Sequence, residues 1–260
     1  MSSRVMGRRG VVWKTPDVTA DGLKIFACAA MLIAAIGVVI IENGMIHVDQ
    51  YTQETLSAAM AEDSHLMMLA GISSVMQLMG GMALPVFAFL LVEGFKNTSS
   101  YKRYLASMTV FALISEIPYD LAWRGRWVDF SSQNALVTMV ICLLLVYFLD
   151  MVRSHHMAMA PVLYLVLILA GILWAAMFRA QYGLCMVLLT AVFYVFDLKN
   201  GVKTLLGVIV SLMYVTGPIS FYGIWCYNGV RKDRLPKYAY YFFYPLHLLV
   251  LGLISRYLIS

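Results

Sequence analysis

Apolar residues along the chain gather into long runs without a polar face, and charged residues are confined mostly to the short gaps between them. An amphipathic helix of a soluble protein keeps a polar stripe, so this pattern predicts helices whose solvent is lipid. The runs are about 18 to 25 residues long, the length a helix needs to cross roughly 30 Å of hydrocarbon at about 1.5 Å per residue. They predict eight spans, at residues 23–42, 66–93, 103–123, 135–152, 159–178, 180–197, 203–225 and 239–259, with seven and nine as the neighbouring counts. The predicted fold class is all-α, a polytopic integral membrane helix bundle. A basic segment over 1–22 precedes a single transmembrane domain over 23–260.

Composition agrees with lipid as solvent. Hydrophobic side chains make up 62% of the 260 residues and charged ones 13%, against roughly 45–50% and 25% in a soluble domain. The net charge of +5 comes from Lys and Arg scattered over short loops, which excludes a nucleic-acid interface and makes them topology signals. Arg4, Arg8, Arg9, Lys14 and Lys24 predict a cytoplasmic N-terminus by the positive-inside rule. Residues 43–65 carry Asp49, Glu54, Glu62 and Asp63 without Lys or Arg and read as an external loop. Strict alternation of eight crossings then sends Arg231, Lys232, Arg234 and Lys237 outside, against the same rule. One segment is therefore expected not to cross. The spans 159–178 and 180–197, which meet at Phe178 and Arg179, are the pair expected to hold a re-entrant or broken helix.

The four cysteines, Cys28, Cys142, Cys185 and Cys226, show no ligand spacing, so neither a disulfide nor a metal site is expected. Gly80, Gly81 and Ala83 form a small-residue patch that predicts close helix packing. Ionisable groups inside the spans are few, and each marks a cavity or site by default because its burial in hydrocarbon is costly. Glu116 and Asp120 lie four apart on one face of a helix interrupted by Pro118. They read either as a buried acid pair or as interfacial groups paired with Arg124 and Arg126. Glu93 reads as a site carboxylate or as an i,i+3 partner of Lys96. His247 has no partner nearby in sequence and must find a buried one or serve a site.

The blocks LKIFACAAMLIAAIG at 23–37, ALPVFAFLLVEGF at 83–95, FALISEIPYDLAW at 111–123, QNALVT at 133–138, YNG at 227–229 and YYFFYPLHLL at 240–249 occur in this order. Together they resemble the TraX family, multi-span membrane enzymes of the kind that acetylate F-pilin at its N-terminus. The resemblance implies acetyl transfer in a bacterial cytoplasmic membrane, from acetyl-CoA as co-substrate and without a metal. The acceptor would be an amine or hydroxyl of a membrane-associated protein or peptide, with membrane lipid and an oligomeric or heteromeric complex as further partners. It implies His247, Glu116 and Asp120 as catalytic residues, and Glu93, Asn134, Asn228 and Tyr244 as substrate-binding ones. The family pattern has an adjacent Asp-His pair in the first span, an arginine in the second and a histidine just after it. Here Ala34 and Ala35, Gly81, and Asn97 stand at those places. The alternatives are a non-catalytic accessory subunit, which the missing pair favours, and a transporter, which visible inverted repeats would favour and which lacks them.

Overall fold

The computed structural model describes residues 5–6, 12–13, 17–155, 159–230 and 237–259. The early cations Arg4, Arg8, Arg9 and Lys14, the loop cations Arg231, Lys232 and Arg234, and His156 lie outside the described residues. A two-residue antiparallel pair, Val5–Met6 with Val12–Trp13, precedes the helices.

The bundle is all helix. The first helix, α1 (Ala20–Ile36), starts where the Thr19 hydroxyl accepts from the Gly22 amide at 3.2 Å, and continues in wider π-type turns over Gly37–Ile46. The face at which Ala20 lies is called proximal below, and the opposite one distal. On the distal side the short α2 (Gln53–Glu62) carries no buried residue. The chain returns through α3 (Ser64–Gly81) and α4 (Ala83–Lys96), which form one 33-residue path with a joint at Met82. Next come α5 (Tyr101–Arg124), α6 (Ala135–Ser154), α7 (Ala160–Met177) and the short α8 (Gly183–Val195). Asp63, Ser100 and Asn134 cap α3, α5 and α6 through side-chain oxygens on first-turn amides. The path ends with α9 (Asn200–Ser211), α10 (Ser220–Trp225) and α11 (Lys237–Ile254). Among the described residues, six helices are long and apolar enough to cross a membrane, with two shorter apolar ones besides.

All eight apolar segments become helix, and the difference from expectation lies in which one turns back. Helix α7 runs its full length, and the turn to α8 is tight because Arg179 and Tyr182 both adopt positive φ, 48° and 62°. The segment 203–225 is the one that bends. Helix α9 begins beside the proximal ion cluster in which Lys96 Nζ meets Asp197 Oδ1 at 2.5 Å and Lys203 Nζ lies 3.9 Å from the same oxygen. The chain then breaks over 212–219, where the Thr216 hydroxyl donates to the Leu78 carbonyl close to the joint between α3 and α4. It returns through α10, whose Trp225 Nε1 donates to Thr204 Oγ1 at 3.0 Å. After that turn, Val18 N donates to the Cys226 carbonyl at 3.0 Å, and Ala20 N to the Val230 carbonyl at 3.1 Å. Both ends of the hairpin therefore sit on the proximal face. Among the described residues the chain passes along the bundle six times before this hairpin, in α1, α3 with α4, α5, α6, α7 and the 13-residue α8, and α11 makes a seventh pass. At the distal end, Arg256 and Asn43 donate to the last carbonyls of α5, to Gly125 at 2.7 Å and to Ala122 and Trp123 at 3.3 Å.

This topology is directly testable. With the native cysteines replaced, Asn200→Cys and Val230→Cys are expected to react with an impermeant maleimide from the same side of sealed vesicles. Thr52→Cys is expected to react from the other. Labelling of positions 200 and 230 from opposite sides would mean that the hairpin crosses.

Candidate functional site

A cavity of about 660 Å³ opens among α1, α4, α5, α6 and α11. Its rim carries Lys24, Arg103 and the polar stretch Asn97 to Ser100, and its wall Tyr104, Tyr238, Tyr240 and Tyr241. Farther in, Ala135, Leu136 and Tyr244 line it. The local folding is legible residue by residue. Ser100 caps α5 and brings Arg103 to the first turn beside the rim. Lys24 is one turn into α1, where Asp21 pairs with it at 3.3 Å and the Tyr240 ring lies 4.8 Å from its ammonium.

The start of α6 organises the buried end. After α5 the chain does not stay at the distal surface but folds back along that helix, so that Asn134 reaches Ala112, about three turns before the end of α5. Asn134 is fully buried, and its side chain is committed on both sides. Oδ1 accepts from the Leu136 amide at 2.9 Å, while Nδ2 donates to the Ala112 carbonyl at 2.8 Å and to Glu116 Oε2. The next amide, Ala135 N, donates to the Tyr244 hydroxyl at 3.2 Å. Asp120 Oδ2 accepts from the Asp129 amide at 2.8 Å, and Ser132 takes up both Tyr119 and Arg124, at 3.2 and 3.1 Å. The remaining carboxylate oxygens, Glu116 Oε1 and Asp120 Oδ1, are buried without a hydrogen-bond partner among the described residues.

His247 lies one turn beyond Tyr244. Its Nδ1 is 2.7 Å from the Phe243 carbonyl. A carbonyl only accepts, so the ring proton belongs on Nδ1 and Nε2 keeps its lone pair. That Nε2 is buried with no partner among the described residues. The ring is stacked on Phe243 at 4.9 Å and meets the Tyr244 ring edge-on at 5.7 Å.

The model of the TraX protein family matches residues 19–255. The chain belongs to the TraX family. No curated protein and no solved structure matches it.

Within this TraX-family fold, Glu116, Asn134 and Tyr244 are brought together at the start of α6, with Asp120 one turn from Glu116. His247 makes no hydrogen bond to either carboxylate. Of the seven residues singled out from the sequence, Tyr244 lines the cavity. Glu93 sits in the proximal ion cluster, 3.3 Å from Lys96. Asn228 shapes a turn, its Oδ1 accepting from the Val230 amide at 2.9 Å. Sequence reasoning missed the rim, whose residues come from separate helices. It also missed Glu42, whose Oε1 accepts from Ser73 at 3.0 Å and Gln77 at 2.5 Å inside the bundle. The signal was present in the spacing of Ser73 and Gln77, two polar groups four apart on a mostly apolar helix.

The small positions of the first two spans are packed solid. A Cβ on Gly80 would come within 2.4 Å of Ala34 Cβ, and one on Gly81 within 2.9 Å of Thr216 Oγ1 and 3.0 Å of the Tyr214 carbonyl. Ala35 is buried. None of Ala34, Ala35 and Gly81 lines the cavity, whereas Asn97 does.

Proposed function

We propose that this TraX-family protein is a membrane acyltransferase that takes an acyl-CoA, acetyl-CoA in the first instance, from the cytoplasm and acylates an amine or hydroxyl of a membrane-associated acceptor. The observation that carries this reading is the cavity, with cations at its rim and Tyr244 within. Lys24 and Arg103 suit the phosphates of the donor, and the tyrosine-, leucine- and methionine-rich walls suit its pantetheine arm. Charge supports a cytoplasmic proximal face. With the hairpin re-entrant, Val230 and the start of α11, which flank Arg231, Lys232 and Arg234 in the sequence, lie on the face where α1 begins, as the positive-inside rule asks. The membrane is then the bacterial cytoplasmic one.

In this reading the acceptor attacks the thioester carbon, the carbon–sulfur bond breaks, and the acceptor's proton ends on the departing sulfur as free CoA thiol. His247, one turn beyond Tyr244 and not itself among the cavity's lining residues, is the candidate base for that proton, since its Nε2 lone pair is uncommitted. The purified protein with labelled acetyl-CoA and peptide, lipid-amine and glycan acceptors tests the reading, and absence of CoA binding refutes it. Arg103 is exposed, so Arg103→Ala is expected to weaken CoA binding by about 2- to 5-fold at low salt and less at high salt. Titration calorimetry at two ionic strengths measures it.

The second reading is a non-catalytic accessory subunit. The packing of Ala34 on Gly80 and of Gly81 on the hairpin tip favours it, because space for the family's polar groups is filled there. CoA binding without transfer to any acceptor, and with transfer by a co-purified partner, would establish it.

A further inference from the structure

We propose that the Tyr244 hydroxyl is the hydrogen-bond donor that holds the developing oxyanion of the acyl donor, set for that task by the first amide of α6. The proposal rests on the reading of the cavity as an acyl-thioester site. A phenolic hydroxyl has one proton to give and lone pairs to receive. At Tyr244 a lone pair is occupied by the Ala135 amide at 3.2 Å, and the hydroxyl makes no other hydrogen bond among the described residues. Its proton is therefore uncommitted. Tyr244 and Ala135, the two partners of this hydrogen bond, both line the cavity.

The surroundings strengthen such a donor. Tyr244 is 7% exposed, and Leu136 and Met139 beside it on the cavity wall are apolar, so a hydrogen bond formed there is not diluted by water. The 20-residue α6 places the positive end of its dipole against the phenolic oxygen, which makes the hydroxyl a stronger donor. Asn134 removes the competitors. Its Oδ1 takes the Leu136 amide and its Nδ2 takes Ala112 and Glu116, which leaves the Ala135 amide to Tyr244.

The chemistry balances without further groups. Addition of the acceptor turns the thioester C=O into C–O⁻, to which Tyr244 donates a hydrogen bond while keeping its proton. Collapse restores C=O and expels the sulfur, which receives the proton the acceptor lost. Such a donor binds the oxyanion of the transition state more strongly than the carbonyl of the ground state, so its loss falls mainly on kcat.

The test uses the full-length protein in detergent and S-acetonyl-CoA, a ketone analogue that cannot transfer its acyl group, with a ¹³C-labelled carbonyl read by infrared difference spectroscopy. The expected result is a downshift of the carbonyl band on binding to the wild type, abolished in Tyr244→Phe. With acetyl-CoA and an accepted acceptor, the same variant is expected to lose about 10²- to 10³-fold in kcat with CoA affinity retained. Ala135→Pro removes only the polarising amide. Proline is tolerated at the first helical position, and Asn134 already has the extended conformation, φ −66° and ψ 164°, that precedes a proline. It is expected to reduce the downshift partially, and it keeps the proposal testable if the Phe variant fails to fold. An analogue that binds the wild type with no downshift, or with one that survives both substitutions, overturns the role of Tyr244 and leaves the donor cavity standing. Failure of the wild type to bind the analogue or CoA overturns the acyltransferase reading and this inference with it.

Discussion

Replacing His247 by alanine is expected to lower acyl transfer by about 10²- to 10⁴-fold, the usual worth of a general base, while leaving CoA affinity and thermal stability close to those of the wild type. The loss follows from the tautomer. With Nδ1–H held by the Phe243 carbonyl, Nε2 is the one uncommitted basic nitrogen in a buried imidazole. The retained stability follows from the same geometry. A buried polar atom without a partner contributes no interaction and carries a desolvation cost, so removing it relieves that cost in part compensation for the packing lost against Phe243 and Tyr244. A residue that is expensive to keep and cheap to delete is the mark of a functional position. Steady-state kinetics, CoA binding and a melting curve on the same preparation separate the outcomes. Transfer within tenfold of wild type in His247→Ala would exclude the histidine and move the base to Glu116, whose Oε1 is also without a partner.

How much of this was legible in the sequence differs from element to element, for physical reasons. Helices α6 and α7 run over 135–154 and 160–177, within two residues of the ends expected from the apolar runs, because hydrocarbon thickness fixes run length. The re-entrant hairpin was visible as a conflict and not as a place. The basic residues from Arg231 to Lys237 required one segment to turn back, but hydropathy treats 203–225 as an ordinary span. Its distinguishing mark is the break at Thr216, Gly217 and Pro218, which interrupts α-helix in the middle of the run. The short gap after Phe178 drew attention instead, although two residues with positive φ make a sharp turn there. At the site, Glu116 and Asn134 stand together because the loop after α5 folds inward, which no local pattern announces. The cavity is assembled from five helices, and neither periodicity nor spacing reports contacts of that sequence separation. The small-residue patch at Gly80 and Gly81 was the opposite case, since close approach of neighbouring elements is the physical reason for such residues.

Restoring the family's acid and histidine in the first span, by Ala34→Asp with Ala35→His, is expected to destabilise the protein and to restore no activity. Ala34 Cβ already approaches α3 so closely that the facing position, Gly80, has no room for a side-chain atom of its own. Ala35 is 2% exposed. Larger groups there force helix movement worth about 1–3 kcal/mol, and a carboxylate left in the interior without a cation adds several kcal/mol more. For a chain of this size the sum, about 4–8 kcal/mol, corresponds to a fall of about 8–16 °C in the unfolding midpoint at about 2 °C per kcal/mol. Adding Gly81→Arg to supply the cation meets a second obstacle, because the hairpin tip at Tyr214 and Thr216 occupies the position where that side chain would start. The hairpin, the small residues of α3 and the two alanines of α1 therefore form one packed unit, and reintroducing the polar groups requires changes in all three at once. An Asp-His variant with an unchanged melting midpoint and new CoA-dependent transfer would contradict this packing argument. A folded but inactive variant of lower stability, beside a wild type that transfers acyl groups in a His247-dependent manner, would locate the working chemistry at the cavity bounded by α6 and α11 and not at the family's first-span position.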